Sequence, residues 1–238
     1  MKICSLLLAK GNSSFKNKNI YPTLGRPLMA YPMLAAKNVN LISDCFISSD
    51  SKQYLKIGEK YGYTPILRSP ELAQDSSKSD DVVLDSVLNN DILKNSEIII
   101  VQHANVGTVY PELINKSIEI LLSNKNYTSV VPSHMNQEYN PYRGFWKTKD
   151  DVLLPILDDM KNFSPNRQEL PKAFFLDHSF WCIRTQNLFE KKSICPWMSL
   201  GDKIFPIETK GMFDVHSYED IIETEKWLIN NKKLLKYL

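Results

Sequence analysis

Residues 3–20, ICSLLLAKGNSSFKNKNI, decide the predicted fold. Ile3 and residues 6–8 form an apolar run that is too short for a helix, which predicts a strand buried on both faces. The strand ends at Ala9, and the loop after it is rich in small and cationic residues whose amides and ammonium groups can converge on one anion. Ligands of open α/β sheets bind beyond the carboxyl ends of the strands. We therefore interpret the loop as a polyphosphate site, with a solvated basic turn as the alternative.

Composition sets loose bounds on the class of protein. The 238 residues are 43% hydrophobic and 24% charged, which suits one globular α/β domain with a small insertion. The formal net charge of +2 gives no electrostatic reason to expect nucleic acid as a partner. No segment is apolar for long enough to cross a bilayer, so no membrane association is expected.

The four cysteines lie singly in apolar surroundings and have no CxxC spacing. Buried thiols in a reducing compartment are expected from this pattern, rather than disulfides or zinc ligands. The apolar run near the N-terminus is followed by the basic loop, without a small-residue cleavage site. Together these features predict a cytoplasmic protein.

Strand and helix patterns alternate along the rest of the chain. Apolar runs predict strands, and helical periodicity predicts helices. Later strands are predicted at residues 44–48, 64–67, 98–101, 127–131, 174–183 and 204–207, and helices at 28–38, 51–61, 82–90, 111–123 and 217–238. Three strands end in polar clusters, at Lys10, Arg68 and Gln102, as expected for a parallel sheet with one ligand-binding edge.

Three positions mark predicted helix ends. Asp50 and Ser217 each precede a predicted helix and are interpreted as N-caps. Asp220 lies three residues after Ser217, which is close to a capping-box pattern. Gly62 follows a predicted helix and is interpreted as its C′ residue.

The pattern changes between about residues 134 and 172. Aromatic residues are interleaved with prolines there, and neither helical nor strand periodicity lasts. A free linker would be poor in aromatic residues, so we interpret this insertion as a compact segment that packs on another surface. A subunit interface is the natural use for it.

Seven fragments occur in the same order as in one enzyme family: LLAKGNSSFKNKNI, GRPLMAYPML, FISSDSK, LRSPELAQDSS, IIIVQH, NRQELPKAF and FDVHSYEDIIETE. Over almost the whole chain the sequence resembles the acylneuraminate cytidylyltransferases, which make CMP-activated nonulosonic or ulosonic acids from CTP. The resemblance implies a three-layer α/β domain with a mostly parallel sheet of nucleotide-diphospho-sugar transferase type. It also implies a homodimer formed through the insertion. The anomeric hydroxyl of the acidic sugar would attack the α-phosphate of CTP in line and displace pyrophosphate, with Mg²⁺ neutralising the oxyanions.

The resemblance also assigns nucleotide-binding positions. These are Ala9, Lys10, Gly11, Asn12, Ser13, Asn19, Arg68, Ser77, Ser79 and Gln102. It assigns catalytic roles to Lys10, Lys18 and Asp214. Lys10 replaces an arginine of the family, so it offers phosphate a point charge instead of a planar fork. Taken singly, these residues also have ordinary interpretations as ion-pair partners, strand-end hydrogen bonders and helix caps.

The acceptor side departs further from the family. His103, Ala104, Asn105 and Val106 replace its usual Pro-Thr-Ser-Pro turn, so contacts with the sugar must differ. The candidate substrate-binding residues are His103, Asn105, Arg143, Arg167, Gln168, Asp177 and Trp181. The two arginines belong to the insertion, and in the family this segment reaches the neighbouring subunit's site. Either could bind a sugar carboxylate in bidentate fashion.

The family's D-x-D metal motif is Asp214 and His216 here. If FDVH is a strand, both side chains share one face. Imidazole suits Mn²⁺ better than Mg²⁺, so a single-carboxylate Mg²⁺ site, a softer metal and no catalysis all stay open. Two alternatives to CMP-sugar synthesis follow: a nucleotidyltransferase for another sugar or nucleotide, and a degenerate nucleotide-binding protein without turnover.

Overall fold

Strands and helices alternate in the computed structural model of the protein, which describes residues 2–11, 15–158, 164, 166–190 and 196–235. The strands are β1 (Ile3–Leu8), β2 (Pro22–Thr23), β3 (Arg26–Pro27), β4 (Asp44–Ser49), β5 (Thr64–Leu67), β6 (Ile98–His103), β7 (Ser129–Met135), β8 (Phe145–Lys147), β9 (Leu153–Pro155), β10 (Phe174–Leu176), β11 (Phe180–Arg184) and β12 (Ile204–Glu208). The α-helices are α1 (Ala30–Lys37), α2 (Lys52–Lys60), α3 (Ser79–Leu88), α4 (Asp91–Lys94), α5 (Pro111–Ser123) and α6 (Tyr218–Asn230).

An eight-stranded sheet forms the centre of the molecule, in the order β10-β7-β11-β6-β1-β4-β5 with β12 beside β7. Strands β5, β4, β1 and β6 are parallel neighbours, and β11 is antiparallel to β6. Strand β1 lies inside this parallel group and all of its residues are buried, as its apolar run predicts. The carboxyl ends of the parallel strands therefore meet at one edge of the sheet.

Helices cover both faces of the sheet. Leu6 of β1 packs in a core cluster with Val83 of α3, whereas Leu7 packs in another cluster with Met33 of α1 and Leu55 of α2. Successive residues of a strand point to opposite faces, so this division places α1 and α2 on one side and α3 on the other. The prediction of a three-layer, mostly parallel α/β fold is confirmed.

Two of the three predicted helix ends are confirmed. Ser217 forms a capping box with Asp220 at the start of α6, and Gly62 adopts φ 75° after α2, as predicted. The interpretation of Asp50 as an N-cap is wrong, because the Ser51 side chain accepts from the Tyr54 amide and caps α2. Residues 213–216 are not a strand either, since they pair with no strand of the sheet.

The insertion leaves the sheet after β7 and returns to it at β10. Its β8 and β9 form an antiparallel hairpin in which Trp146 pairs with Leu154. Trp146 is 63% exposed and Leu154 is 52% exposed, so the part of the chain that the structure describes leaves the apolar hairpin uncovered. Phe163 and Pro165 of the insertion lie outside the described residues.

Cys4, Cys45 and Cys182 are buried free thiols, as predicted, and Cys195 lies outside the described residues. Burial raises the pKa of the Cys4 and Cys45 thiols to about 11. Within the described residues, no helix is both long enough and apolar enough to cross a membrane.

Candidate active site

A cavity of about 520 Å³ opens at the carboxyl ends of β1, β5 and β6. Its lining residues are Leu8, Lys10, Lys18, Asn19, Arg68, Leu72, Gln74, Asp75, Ser77, Ser79, Val82, His103, Asn105 and His216. The crevice expected from the parallel strands is therefore present, and three cations face it, two from the loop after β1 and one from the end of β5. Of the predicted nucleotide-binding positions, Asn12 and Ser13 lie outside the described residues.

Lys10 joins two walls of the cavity. Its Nζ lies 2.5 Å from Oδ1 of Asp75, which belongs to the segment before α3. The hydrogen bond from Lys10, together with its charge, lowers the pKa of the Asp75 carboxyl. Asn19 stabilises the loop, because its Nδ2 donates to the Lys10 carbonyl at 2.9 Å. This structural role of Asn19 does not depend on a bound ligand.

Lys18 is the most enclosed cation of the loop. It begins a short 3₁₀ turn and is only 6% exposed, although its side chain lines the cavity. Burial lowers the pKa of its ammonium, and the negative charges of Asp214 and Asp220 oppose this effect. A buried cation of this kind interacts more strongly with a bound anion than a solvated one, because the local dielectric is lower.

Arg68 follows β5 and is held by the neighbouring strand. Its Nη2 donates to the Ser48 carbonyl at 3.0 Å, and the residue is 6% exposed. Burial lowers the pKa of the guanidinium, while Asp50 and Asp85 raise it. An arginine stays protonated at neutral pH in proteins, so a fixed positive charge faces the cavity.

Asp50 supports the loop in a way that the sequence did not reveal. Its Oδ1 accepts from the Gly11 amide at 2.7 Å, which ties the loop to the end of β4. A Cβ on Gly11 would lie 3.1 Å from Asp50 Oδ2, so a larger residue there would press on this carboxylate. The sequence placed Asp50 at the carboxyl end of a predicted parallel strand, which is compatible with a role in the site. The same position directly precedes a helix, so it is equally compatible with a helix cap.

Gln102 and Ala9 do not reach the cavity. The Gln102 side chain is fully buried, accepts from Ser5 Oγ at 2.8 Å and donates to the Pro32 carbonyl at 2.7 Å. These partners belong to β1 and α1, so Gln102 joins the sheet to a helix on the face away from α3. Ala9 is fully buried in the core, and its amide donates to the Ser48 carbonyl at 3.0 Å.

The acceptor candidates divide into two groups. His103 and Asn105 line the cavity, whereas Trp181 and Asp177 do not. Trp181 is 1% exposed and its ring packs edge-on against His103 at 5.1 Å between centroids. Asp177 accepts from His134 Nδ1 at 2.5 Å and from the Thr209 hydroxyl, so its carboxylate is occupied in the interior.

The His103 ring stays neutral at physiological pH. Burial, followed by the charge of His178, lowers its pKa to about 4. Its Nε2 is buried and has no hydrogen-bond partner among the described residues. His103 can therefore meet a ligand as a neutral polar group, but not as a cation that binds a carboxylate.

Arg143, Arg167 and Gln168 lie in the insertion and do not line this chain's cavity. Both arginines form ion pairs with Glu138, and all three side chains are at least partly exposed. Within one chain they are therefore not part of the site.

His216 lines the cavity, and Asp214, which is not among the lining residues, contacts His216 even though FDVH is not a strand. His216 Nε2 lies 3.1 Å from Asp214 Oδ2. Asp214 Oδ1 accepts a hydrogen bond from Nδ2 of the Asn105 side chain. No group of three or more His, Cys, Asp or Glu among the described residues could hold a metal alone. One carboxylate and one imidazole fit a divalent ion as a partial ligand set, which phosphate oxygens would complete.

The family model for cytidylyltransferases matches residues 5–232. The chain belongs to the cytidylyltransferase family. It is accordingly a nucleotidyltransferase.

Curated relatives extend over nearly the whole cytidylyltransferase chain. It is 26% identical over 237 residues to the post-translational flagellin modification protein B of Campylobacter coli, covering 98% of this chain and 96% of the relative. It is 24% identical over 227 residues to the pseudaminic acid cytidylyltransferase of Campylobacter jejuni, covering 93% and 94%.

Solved structures agree on the fold. CMP:2-keto-3-deoxy-manno-octonic acid synthetase complexed with CTP superposes with a TM-score of 0.72 at 12% identity, covering 97% of this chain and 99% of the other. The 4-diphosphocytidyl-2C-methyl-D-erythritol synthase of Anaerococcus prevotii gives 0.63 at 15% identity, with 96% of each chain covered. The cytidylyltransferase thus has the fold of nucleotide-diphospho-sugar transferases.

Proposed function

We propose that the protein transfers a cytidylyl group from CTP to the anomeric hydroxyl of an acidic sugar of the nonulosonic or ulosonic type. The observation that carries this proposal is the convergence of Lys10, Lys18 and Arg68 on one cavity. Relatives named for pseudaminic, legionaminic and acylneuraminic acids support the sugar class. The products are the CMP-sugar acid and pyrophosphate.

The reaction is an in-line displacement at the α-phosphorus. A bond forms between the anomeric oxygen and this phosphorus, while the bond from phosphorus to the bridging α–β oxygen breaks. The hydroxyl proton leaves to solvent, and pyrophosphate takes the electron pair of the broken bond. Positioning and charge stabilisation account for most of the catalysis in phosphoryl-group transfer. The three cations supply both, because their loops and strand ends hold them around one space.

In this proposal Arg68 and Lys10 hold the triphosphate, and Lys18 stabilises charge that develops during transfer. Arg68 is fixed by Ser48, which suits a binding residue. Lys18 is buried beside Asp214, which suits a residue that acts at the reacting phosphate. Ser77 and Ser79 line the same wall. The Ser79 hydroxyl can donate a hydrogen bond to the nucleotide, whereas the Ser77 hydroxyl donates to the Glu71 carbonyl at 3.0 Å and can only accept one.

A divalent ion is part of the proposal, with Mg²⁺ or Mn²⁺ as the candidates. Asp214 and His216 would hold it, and it would neutralise the oxyanions of the triphosphate when bound. The imidazole favours Mn²⁺ over Mg²⁺ in this pair. Asn105 donates to Asp214 and so helps to fix the carboxylate before any ion arrives.

We further propose a homodimer formed through the insertion, residues 134–172. The hairpin of β8 and β9 exposes apolar side chains on a segment that its own core does not cover, and burial in a second copy would stabilise it. Arg143 and Arg167 extend from the same segment. In a dimer they could reach the partner's cavity and bind the sugar carboxylate in bidentate fashion.

The cytoplasm is the proposed compartment for this reaction. Three free thiols buried in the core suit a reducing environment, since no disulfide links them. CTP, the proposed donor, is an intracellular metabolite.

Pyrophosphate release tests the proposal directly. Each of four nucleoside triphosphates would be combined with a panel of sugar acids, once with Mg²⁺ and once with Mn²⁺. We expect release with CTP and a nonulosonic or ulosonic acid. Release with another nucleotide in place of CTP would instead support a different nucleotidyltransferase. Nucleotide binding without release in any mixture would contradict the proposed reaction.

A further inference from the structure

The segment that carries Asp214 is not held by the sheet. Residues 211–216 form no strand, although β12 ends just before them at Glu208. A carboxylate that contacts a metal or a phosphate must keep its position to within a fraction of an ångström. Another part of the molecule therefore has to fix this segment, and the turn after β6 is in contact with it.

Three hydrogen bonds join that turn to the segment. The Phe213 amide donates to Thr108 Oγ1 at 3.1 Å, and the Val215 amide donates to the Asn105 carbonyl at 3.1 Å. The third runs from Asn105 Nδ2 to Asp214 Oδ1. Since a carboxylate can only accept, this bond fixes which end of the Asn105 amide faces Asp214.

Packing holds both the segment and the turn in place. Val215 of the segment is fully buried and packs with Leu28 and with Ile221 of α6. A Cβ at Gly107 would lie 2.9 Å from a Thr224 methyl group and 3.0 Å from Leu28, so the turn fits closely against α6. Thr108 is fully buried and does not line the cavity, which means that it cannot contact a substrate.

We infer that Asn105 and Thr108 are positioning residues that set Asp214 for cytidylyl transfer; this role rests on the proposed function. Asn105 was predicted from the sequence as a substrate-binding residue, but its amide nitrogen is occupied by Asp214. Groups that orient metal-ligating carboxylates commonly affect metal affinity about 10- to 100-fold when removed. Asn105 therefore acts on the carboxylate from a position that also lines the cavity.

Residue-resolved amide hydrogen exchange of the metal-free protein tests this inference without any assay of turnover. Asn105→Ala removes the side-chain bond to Asp214 and is followed at the Phe213 amide, whose bond to Thr108 it leaves in place. Thr108→Val removes the bond to Phe213 and is followed at the Val215 amide, whose bond to the Asn105 carbonyl it leaves in place. Loss of one hydrogen bond should speed exchange by about tenfold. Thr108→Ser keeps the hydroxyl and should restore the wild-type rate. Asn115→Ala removes an exposed asparagine–carboxylate pair on α5 and is the matched control.

The second measurement is binding of Mn²⁺ alone. We expect the dissociation constant to rise about tenfold in both Asn105→Ala and Thr108→Val and to stay unchanged in Asn115→Ala. The inference is overturned if exchange in the segment is unchanged, or if exchange speeds up while Mn²⁺ affinity stays the same. If the proposed reaction fails but both measurements give the expected shifts, the positioning role stands and the error lies in the substrate.

Discussion

The cavity and the insertion are built in opposite ways. Around the cavity, buried cations such as Arg68 and Lys18 are held by hydrogen bonds and charges of their own chain. In the insertion, Trp146 and Leu154 are exposed, and Arg143 pairs only with a surface glutamate, Glu138, among the described residues. One region is thus preorganised within a single subunit, whereas the other has the composition of an interface without a partner. The proposed nucleotide half of the site can therefore form in a monomer, whereas the proposed sugar half is expected to need two subunits.

Substitutions that disrupt the hairpin should have the largest effect on assembly and turnover. Trp146→Ser combined with Leu154→Ser removes two apolar side chains per subunit, each worth about 1.5–3 kcal/mol when buried, and symmetry doubles the loss. We expect a monomer by light scattering, with CTP binding retained and turnover lost. Ile222→Ser with Ile229→Ser on α6 removes similarly exposed apolar side chains outside the insertion and should change neither property. A double hairpin variant that remains dimeric would place the interface elsewhere.

Substitution of Asp214 tests the second region, the preorganised cavity. Asp214→Ala removes the carboxylate that faces Lys18 and His216. Turnover should fall at least about 100-fold with Mg²⁺ and with Mn²⁺, because the carboxylate that is proposed to hold the charge-neutralising divalent ion is lost. The control is Asp202→Ala, an exposed aspartate away from the cavity, measured in the same pyrophosphate assay. Near wild-type turnover in Asp214→Ala would remove this residue from the mechanism.

His216→Asp should have a smaller effect that changes metal preference. The imidazole already lies 3.1 Å from Asp214, so an aspartate at this position would give a two-carboxylate site that suits Mg²⁺. The ratio of turnover in Mg²⁺ to turnover in Mn²⁺ should rise on the order of tenfold. His216→Asn, which adds no charge, is the control. If wild type already prefers Mg²⁺ and neither variant changes the ratio, His216 is not a ligand.

Asp75→Asn should have the smallest effect. The wild-type carboxylate competes with a triphosphate for Lys10, and removing its charge should tighten CTP binding by about two- to fivefold at low salt. The gain should disappear at high salt, where an exposed pair is screened. Titrations at two ionic strengths would measure it. Weaker CTP binding in the variant would mean that Asp75 contacts the ligand itself.

The sequence predicted the parts of the fold that local patterns control. Strand β1 is buried on both faces because its apolar run has no polar interruption apart from Ser5, and the Ser217 cap is specified by residues three apart. The cavity was also predictable, since Lys10 and Arg68 follow parallel strands whose carboxyl ends must meet.

What could not be predicted depends on contacts between distant segments. Gln102 is at a strand end like Arg68, but only the packing of α1 shows that its amide points to the Pro32 carbonyl. Asp50 precedes a helix and looks like a cap until the Gly11 amide is seen beside it. The alternation in residues 213–216 suits a strand, but these residues pair with no strand and bond to the turn after β6 instead.

Calorimetric titration with CTP tests the central claim, that the cations of the cavity hold the triphosphate. Arg68→Ala and Lys10→Ala should each weaken binding by about 1.5–3 kcal/mol, or roughly 10- to 150-fold, because each removes a hydrogen bond to a charged group. Lys125→Ala, an exposed lysine outside the cavity, should bind CTP like wild type. Unchanged affinity in both cavity variants would contradict the account.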